Sequence, residues 1–140
     1  MATVFTRIIN GEIPGTFVWR DEVCVAFLSI NPLATGHTLV VPISETDHWV
    51  DLPRAHSQHL FDVAQVMGAA IQRTFPCERV GLIIAGYEVP HTHLHVIPTS
   101  SMAELDFRNA KASVDRNELE HAARLLRTTL RDMGEASVAD

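Results

Sequence analysis

The sequence predicts an α+β fold, a five-stranded antiparallel sheet with one main helix and a C-terminal helical extension. Short apolar runs bounded by Gly, Pro, Asn and Asp fall into two groups. A long stretch between them changes to three- and four-residue apolar spacing, and that spacing returns at the end of the chain. The order strands, helix, strands, helix, with short connections, argues for antiparallel pairing. At 140 residues, 46% hydrophobic and 20% charged, the chain has the material for one domain and no room for a second.

The elements follow in order. Ile13-Pro14-Gly15 is a turn after a short opening segment, and Phe17 to Arg20 and Val23 to Ile30 read as a hairpin around Asp21-Glu22. Asn31-Pro32 breaks the second run, and Gly36 precedes a third from His37 to Val41 that Pro42 closes. From Leu52 to Phe75, Leu60, Val63, Ala64, Met67, Ala70 and Ile71 recur on one helical face, with Asp51 as N-cap and Pro76 as the stop. Val80 to Ala85 reads as the fourth strand and His93 to Ile97 as the fifth, ended by Pro98. Arg116 to Met133 reads as a second amphipathic helix, with Asp115 as N-cap, Glu118 completing a capping pattern and Gly134 past the end. Residues 100–113 show no period, and the last six read as frayed. The expected organisation is one domain over 1–140, with a core at about 4–98 and an extension at about 99–140.

Eleven basic and seventeen acidic residues give a formal charge of −6, and Lys111 is the only lysine. A phosphate-tracking protein carries a basic stripe, so a nucleic-acid partner is excluded. Met1 to Arg7 lacks the basic and apolar pattern of an export signal, and no run approaches the roughly 20 apolar residues that cross a bilayer. Cys24 and Cys77 make no disulfide framework. The expected setting is reduced and cytoplasmic, away from membranes.

The chemistry concentrates in His91-Thr92-His93-Leu94-His95-Val96-Ile97-Pro98. On a strand, His91, His93 and His95 project to one side at about 6.5 Å spacing while Leu94 and Val96 enter the core. His56, His59 and His121 read as ordinary surface polar residues. For the triplet three readings stand: satisfied polar groups at a sheet face, a metal site with His37 or His48 as a third ligand, and covalent phosphate chemistry. The metal reading lacks the usual ligand spacing. A neutral imidazole is a competent nucleophile near pH 7, and neighbouring imidazoles can donate to phosphate oxygens.

The line from His91 to Ile97 resembles the His-φ-His-φ-His-φ-φ signature of the histidine-triad (HIT) superfamily. Phe5 to Pro14 is similar to that family's opening segment. Ala26 to Pro32, followed by Gly36 to Pro42, is similar to its second and third strands. The resemblance spans about residues 4–98. It implies a nucleotide-binding hydrolase that cleaves nucleoside phosphoramidates or dinucleoside polyphosphates, AMP or GMP derivatives, with no cofactor. His93 would attack the α-phosphorus and form a nucleotidyl-histidine intermediate. His95 and His37 would donate to phosphoryl oxygens, and His91 would orient His93 and handle the leaving group. Val4, Phe5, Ile8, Phe27 and Ile30 would line the base pocket, with Ser29 at the ribose and Val89 on the approach to the triad. Relatives pair as homodimers through a continuous sheet, which implies a homodimer here.

The sequence also departs from the family pattern. Many bacterial relatives complete a zinc site with Cys-x-x-Cys in the opening segment and two histidines. Thr3 and Thr6 stand there in this chain, with His48 and His91 as the matching histidines, so no metal is expected. Ser29 replaces the usual ribose-binding acid. Ala85 lies near the position of an Asn on the fourth strand, and Gly86-Tyr87-Glu88-Val89-Pro90 replaces a Gly-Gln-Ser/Thr-Val approach. Glu88 would bring negative charge near an anionic ligand or meet an amine leaving group. These losses leave room for a second expectation, a nucleotide-binding regulator with vestigial turnover. A third, a metal-binding protein built on the triad, is open to direct metal analysis.

Overall fold

The computed structural model describes residues 1–140. Strands β1 (Phe17–Arg20), β2 (Cys24–Leu28), β3 (Thr38–Pro42), β4 (Arg79–Ile83) and β5 (Leu94–Thr99) form one antiparallel sheet in the order β1-β2-β3-β5-β4. Three α-helices accompany it: α1 (Val4–Ile9), α2 (Arg54–Thr74) and α3 (Arg116–Asp132). The predicted α+β class is the observed one.

Strands β2 and β3 are buried on both faces, and their alternation sorts side chains into two layers. Cys24, Ala26, Leu28 and Val40 pack with the apolar faces of α2 and α3, joined by Leu94 and Val96 from β5. Val25, Phe27, Leu39 and Val41 face the other way and pack with Phe5 of α1. His95 pairs with Leu39 across the strands, so it shares that second face. The helices therefore build the core on one side and leave the other for a site.

Several elements differ from expectation. The opening segment holds α1, capped by Thr3, whose hydroxyl accepts from the Thr6 N–H. Asp51 does not cap the main helix. It ends a short 3-10 turn at Trp49–Asp51, Leu52 is extended before Pro53, and α2 begins at Arg54. Strand β2 stops at Leu28 and β4 at Ile83, each shorter than its apolar run. Pro98 lies inside β5, opposite Val80 of β4. Pairing with β3 ends at Val96, so Pro98 sits where β5 has a neighbour on one side only.

At the end of α3, Gly134 takes a positive φ of 86°, and the Glu135 N–H returns to the Leu130 carbonyl. The last residues are not frayed. Arg20 N–H donates to Ser137 O at 2.9 Å, Ala139 N–H donates to Val18 O at 3.1 Å, and Val138 bridges Trp19, which covers the β1 edge. Asp115 caps α3 as expected, accepting from Asn117 N–H, while no bond from Glu118 completes the pattern. His59 is no idle surface residue, since its Nε2 meets Asp21 at 2.7 Å and ties α2 to the first hairpin. No helix is long and apolar enough to cross a membrane.

Candidate active site

The triad is not a row on one strand. β5 begins at Leu94, so His91 and His93 lie on the irregular approach to it and turn their rings in different directions. The His93 and His95 rings lie 4.9 Å apart, centre to centre, in an edge-on arrangement. His91 is fully buried behind them, against Phe5.

Backbone groups fix which nitrogen of each ring carries a proton, because an amide N–H can only donate and a carbonyl can only accept. His37 Nδ1 accepts from Leu33 N–H at 3.0 Å, so its Nε2–H donates to His95 Nδ1 at 2.9 Å. His95 then carries its own proton on Nε2, which makes no protein hydrogen bond. His91 Nε2–H donates to Pro42 O at 2.7 Å, and its Nδ1 accepts from the Thr3 hydroxyl at 2.7 Å. His93 Nδ1–H donates to the His91 carbonyl at 2.8 Å. The remaining His93 nitrogen, Nε2, keeps a lone pair with no protein partner. One ring offers a nucleophile and its neighbour offers a donor.

Burial favours the neutral form of His37, His91 and His95. It pushes His95 down to about 3, helped by His37 and His93, and His37 down to about 4, helped by His93. Burial also lowers His91, against the opposing effects of the Pro42 bond and of Glu45.

His37, His93 and His95 line a cavity of about 490 Å³. Val4, Phe5, Ile8, Phe27, Ile30 and Val89 line its apolar part, and Ser29 borders it as well. His91 does not reach it. Every residue expected at the nucleotide therefore borders one cavity, and of the four expected catalytic histidines three do. His37 has both nitrogens engaged within the protein, and so has His91.

The residues that match the family's zinc site do not fit a zinc ion. Both nitrogens of His91 are committed, its partner is a hydroxyl in place of a thiolate, and His48 is exposed beside Trp49.

Sequence reasoning missed other parts of the site. Thr3 supports His91 through the hydroxyl that caps α1. Phe107 packs on His95 with ring centres 4.8 Å apart, and Lys111 and Arg116 reach the same cavity. Phe107 and Lys111 come from a stretch with no periodicity, where nothing in the pattern marks which residues fold back, and Arg116 opens α3. Glu88 also lines the cavity, whereas Tyr87 is almost fully exposed.

Fold and site together define an α+β protein with three histidines clustered at one cavity. The chain belongs to the HIT family, whose domain matches residues 10–102. It is 36% identical over 102 residues to an uncharacterised HIT-like protein of Borreliella burgdorferi, covering 68% of this chain and 73% of that one. It is 32% identical over 98 residues to the adenosine 5′-monophosphoramidase HNT1 of Saccharomyces cerevisiae, covering 69% of this chain and 62% of that one. A zinc-bound histidine triad family protein from Mycobacterium smegmatis superposes with a TM-score of 0.81 at 28% identity, covering 96% of each chain.

Proposed function

We propose that this protein hydrolyses purine nucleoside phosphoramidates at the α-phosphorus through a nucleotidyl intermediate on His93. The observation that carries the reading is the fixed tautomer chain, which leaves His93 Nε2 as an unpartnered lone pair beside the His95 Nε2–H. In the first step Nε2 bonds to phosphorus and the P–N bond to the leaving amine breaks, the amine taking a proton from solvent. In the second, water attacks phosphorus, the P–Nε2 bond breaks, and the nucleoside monophosphate leaves. His95 donates to the phosphoryl oxygen as its charge rises, and His37 holds His95 in the donating tautomer. His91 acts through its carbonyl, which aims His93.

Glu88 favours an amine leaving group over a polyphosphate. Its carboxylate lines the cavity with His93 and His95, and it attracts a cationic amine while repelling a second phosphate. The phosphoramidase among the relatives supports the same choice. The apolar part of the cavity, where Phe5 meets Phe27 edge-on, takes the base.

The active form is a homodimer joined through β4. That strand pairs only with β5, whereas the C-terminal residues cover the β1 edge. Leu82 and Phe61 are exposed along a groove between β4 and α2.

Hydrolysis of adenosine 5′-phosphoramidate beside a diadenosine polyphosphate tests the reading. The phosphoramidate is expected to be the better substrate, and His93→Ala is expected to lower turnover about a thousandfold or more. Nucleotide binding without turnover of either substrate would instead support a regulator.

A further inference from the structure

The nucleotide reading assigns the apolar end of the cavity to the base and the histidine end to the α-phosphate. On that reading the sugar is assigned to Ser29 and Asn31, which follow β2 and line the same cavity. The chain beyond the matched HIT residues returns to Asn31 and Pro32. Asn31 Nδ2–H donates to the carbonyls of Lys111 at 3.1 Å and Ala112 at 2.9 Å, and Lys111 N–H donates to Pro32 O at 3.1 Å. These bonds seat the only lysine of the chain beside the sugar position. Lys111 lines the main cavity and, with Ser29 and His37, a side recess of about 40 Å³. Arg116, the first residue of α3, lines the main cavity too.

Neither cation holds a carboxylate. The acids nearby leave both free. Glu88 comes from the loop before the triad and makes no ion pair, the Asp115 carboxylate accepts from Asn117 N–H, and Glu118 borders the side recess only. The cavity thus offers, with the Ser29 hydroxyl, two cations that hold no carboxylate, in a protein of net charge −6. A carboxylate would take two sugar hydroxyls, whereas the side chain that follows β2 into this cavity is the single hydroxyl of Ser29. Uncompensated cations with neutral donors suit an oxyanion.

We infer that the substrate is a nucleotide carrying a second phosphate on its ribose, at the 2′ or 3′ oxygen, and that Lys111 and Arg116 bind that phosphate. The inference rests on the reading of the cavity as a nucleotide site, and not on turnover.

Calorimetric titration of the full chain with AMP, adenosine 2′,5′-bisphosphate, adenosine 3′,5′-bisphosphate and ADP tests it, in wild type and in Lys111→Ala, Arg116→Ala and the double variant, each checked for folding by circular dichroism. One bisphosphate is expected to bind about tenfold tighter than AMP or better, and the arm that gains identifies the oxygen. In the double variant the ratio of bisphosphate to AMP affinity should collapse toward one. Lys111→Gln and Arg116→Gln serve the same comparison should the alanine variants misfold. Equal or weaker binding of both bisphosphates overturns the inference, as does an advantage that survives in the double variant. A gain for ADP alone also overturns it, by placing the cations at the leaving-group end. If none of the four nucleotides binds, the nucleotide reading itself fails and takes this inference with it.

Discussion

Thr3 uses one hydroxyl twice, accepting from Thr6 N–H to cap α1 and meeting His91 Nδ1 at 2.7 Å, so its replacement reads both functions. Thr3→Val should cost about 1 kcal/mol through the lost cap. It should also lower kcat with little change in KM, because the His91 carbonyl that aims His93 loses its support, and Thr3→Ser should restore both. Unfolding and steady-state kinetics measure the two effects. His37 and His95 give a pH dependence whose sign follows from burial. Their folded-state values, about 4 and about 3, lie below the ordinary 6.5, so the unfolded chain takes up protons first as pH falls. Stability from these two groups is complete above about pH 6.5 and is lost as pH falls through about 4 and then about 3. Thermal unfolding across that range should show the loss, and the variant His37→Asn/His95→Asn should show a shallower one. The triad was legible as chemistry from spacing alone. Its proton assignment was not, because it depends on Leu33 N–H, Pro42 O and the His91 carbonyl, backbone groups that only the fold brings to the rings.

Gly36 shows how an element's end places a side chain of the histidine cluster. Its φ is +97°, and a Cβ there would lie 2.6 Å from carbons of the Phe75 ring at the end of α2. Gly36→Ala should cost about 1 kcal/mol or more and should also lower turnover, since His37 is the next residue. Leu126 sits fully buried where α3 joins the core, and Leu126→Ala should cost about 2–5 kcal/mol, measured by denaturant unfolding. The elements read best from sequence were those with sustained periodicity. The apolar positions expected on α2 and α3 are the ones that face the core. Six-residue α1 was missed, since so short a helix shows barely two turns of pattern and depends on its cap and on Phe5. The displaced start of α2 was readable in Leu52-Pro53, where a proline keeps its predecessor extended. Amphipathicity could not show that the chain before α3 turns Phe107 onto His95, because a pattern gives an apolar face and not its partner.

At the scale of the whole molecule, the sheet separates two functions. One face is closed by α2 and α3, the other carries the cavity, and the segment before α3 closes around its rim. The sheet edges divide in the same way, β1 covered by the C-terminal residues and β4 left open. Leu82→Arg on that open edge should convert a dimer to a monomer in light scattering, with far-UV circular dichroism unchanged; an unchanged mass of two chains would place the interface elsewhere. The claim on which the rest depends is that the backbone-fixed tautomers make His93 Nε2 the nucleophile. Its most direct test is to mix wild type and His93→Ala with adenosine 5′-phosphoramidate, quench in denaturant within the first turnover, and weigh the intact chains. The account predicts an added mass of one adenylyl group on wild type, mapped to His93 and absent from the variant. Turnover with no adduct on His93, or an adduct that persists in His93→Ala, would contradict it.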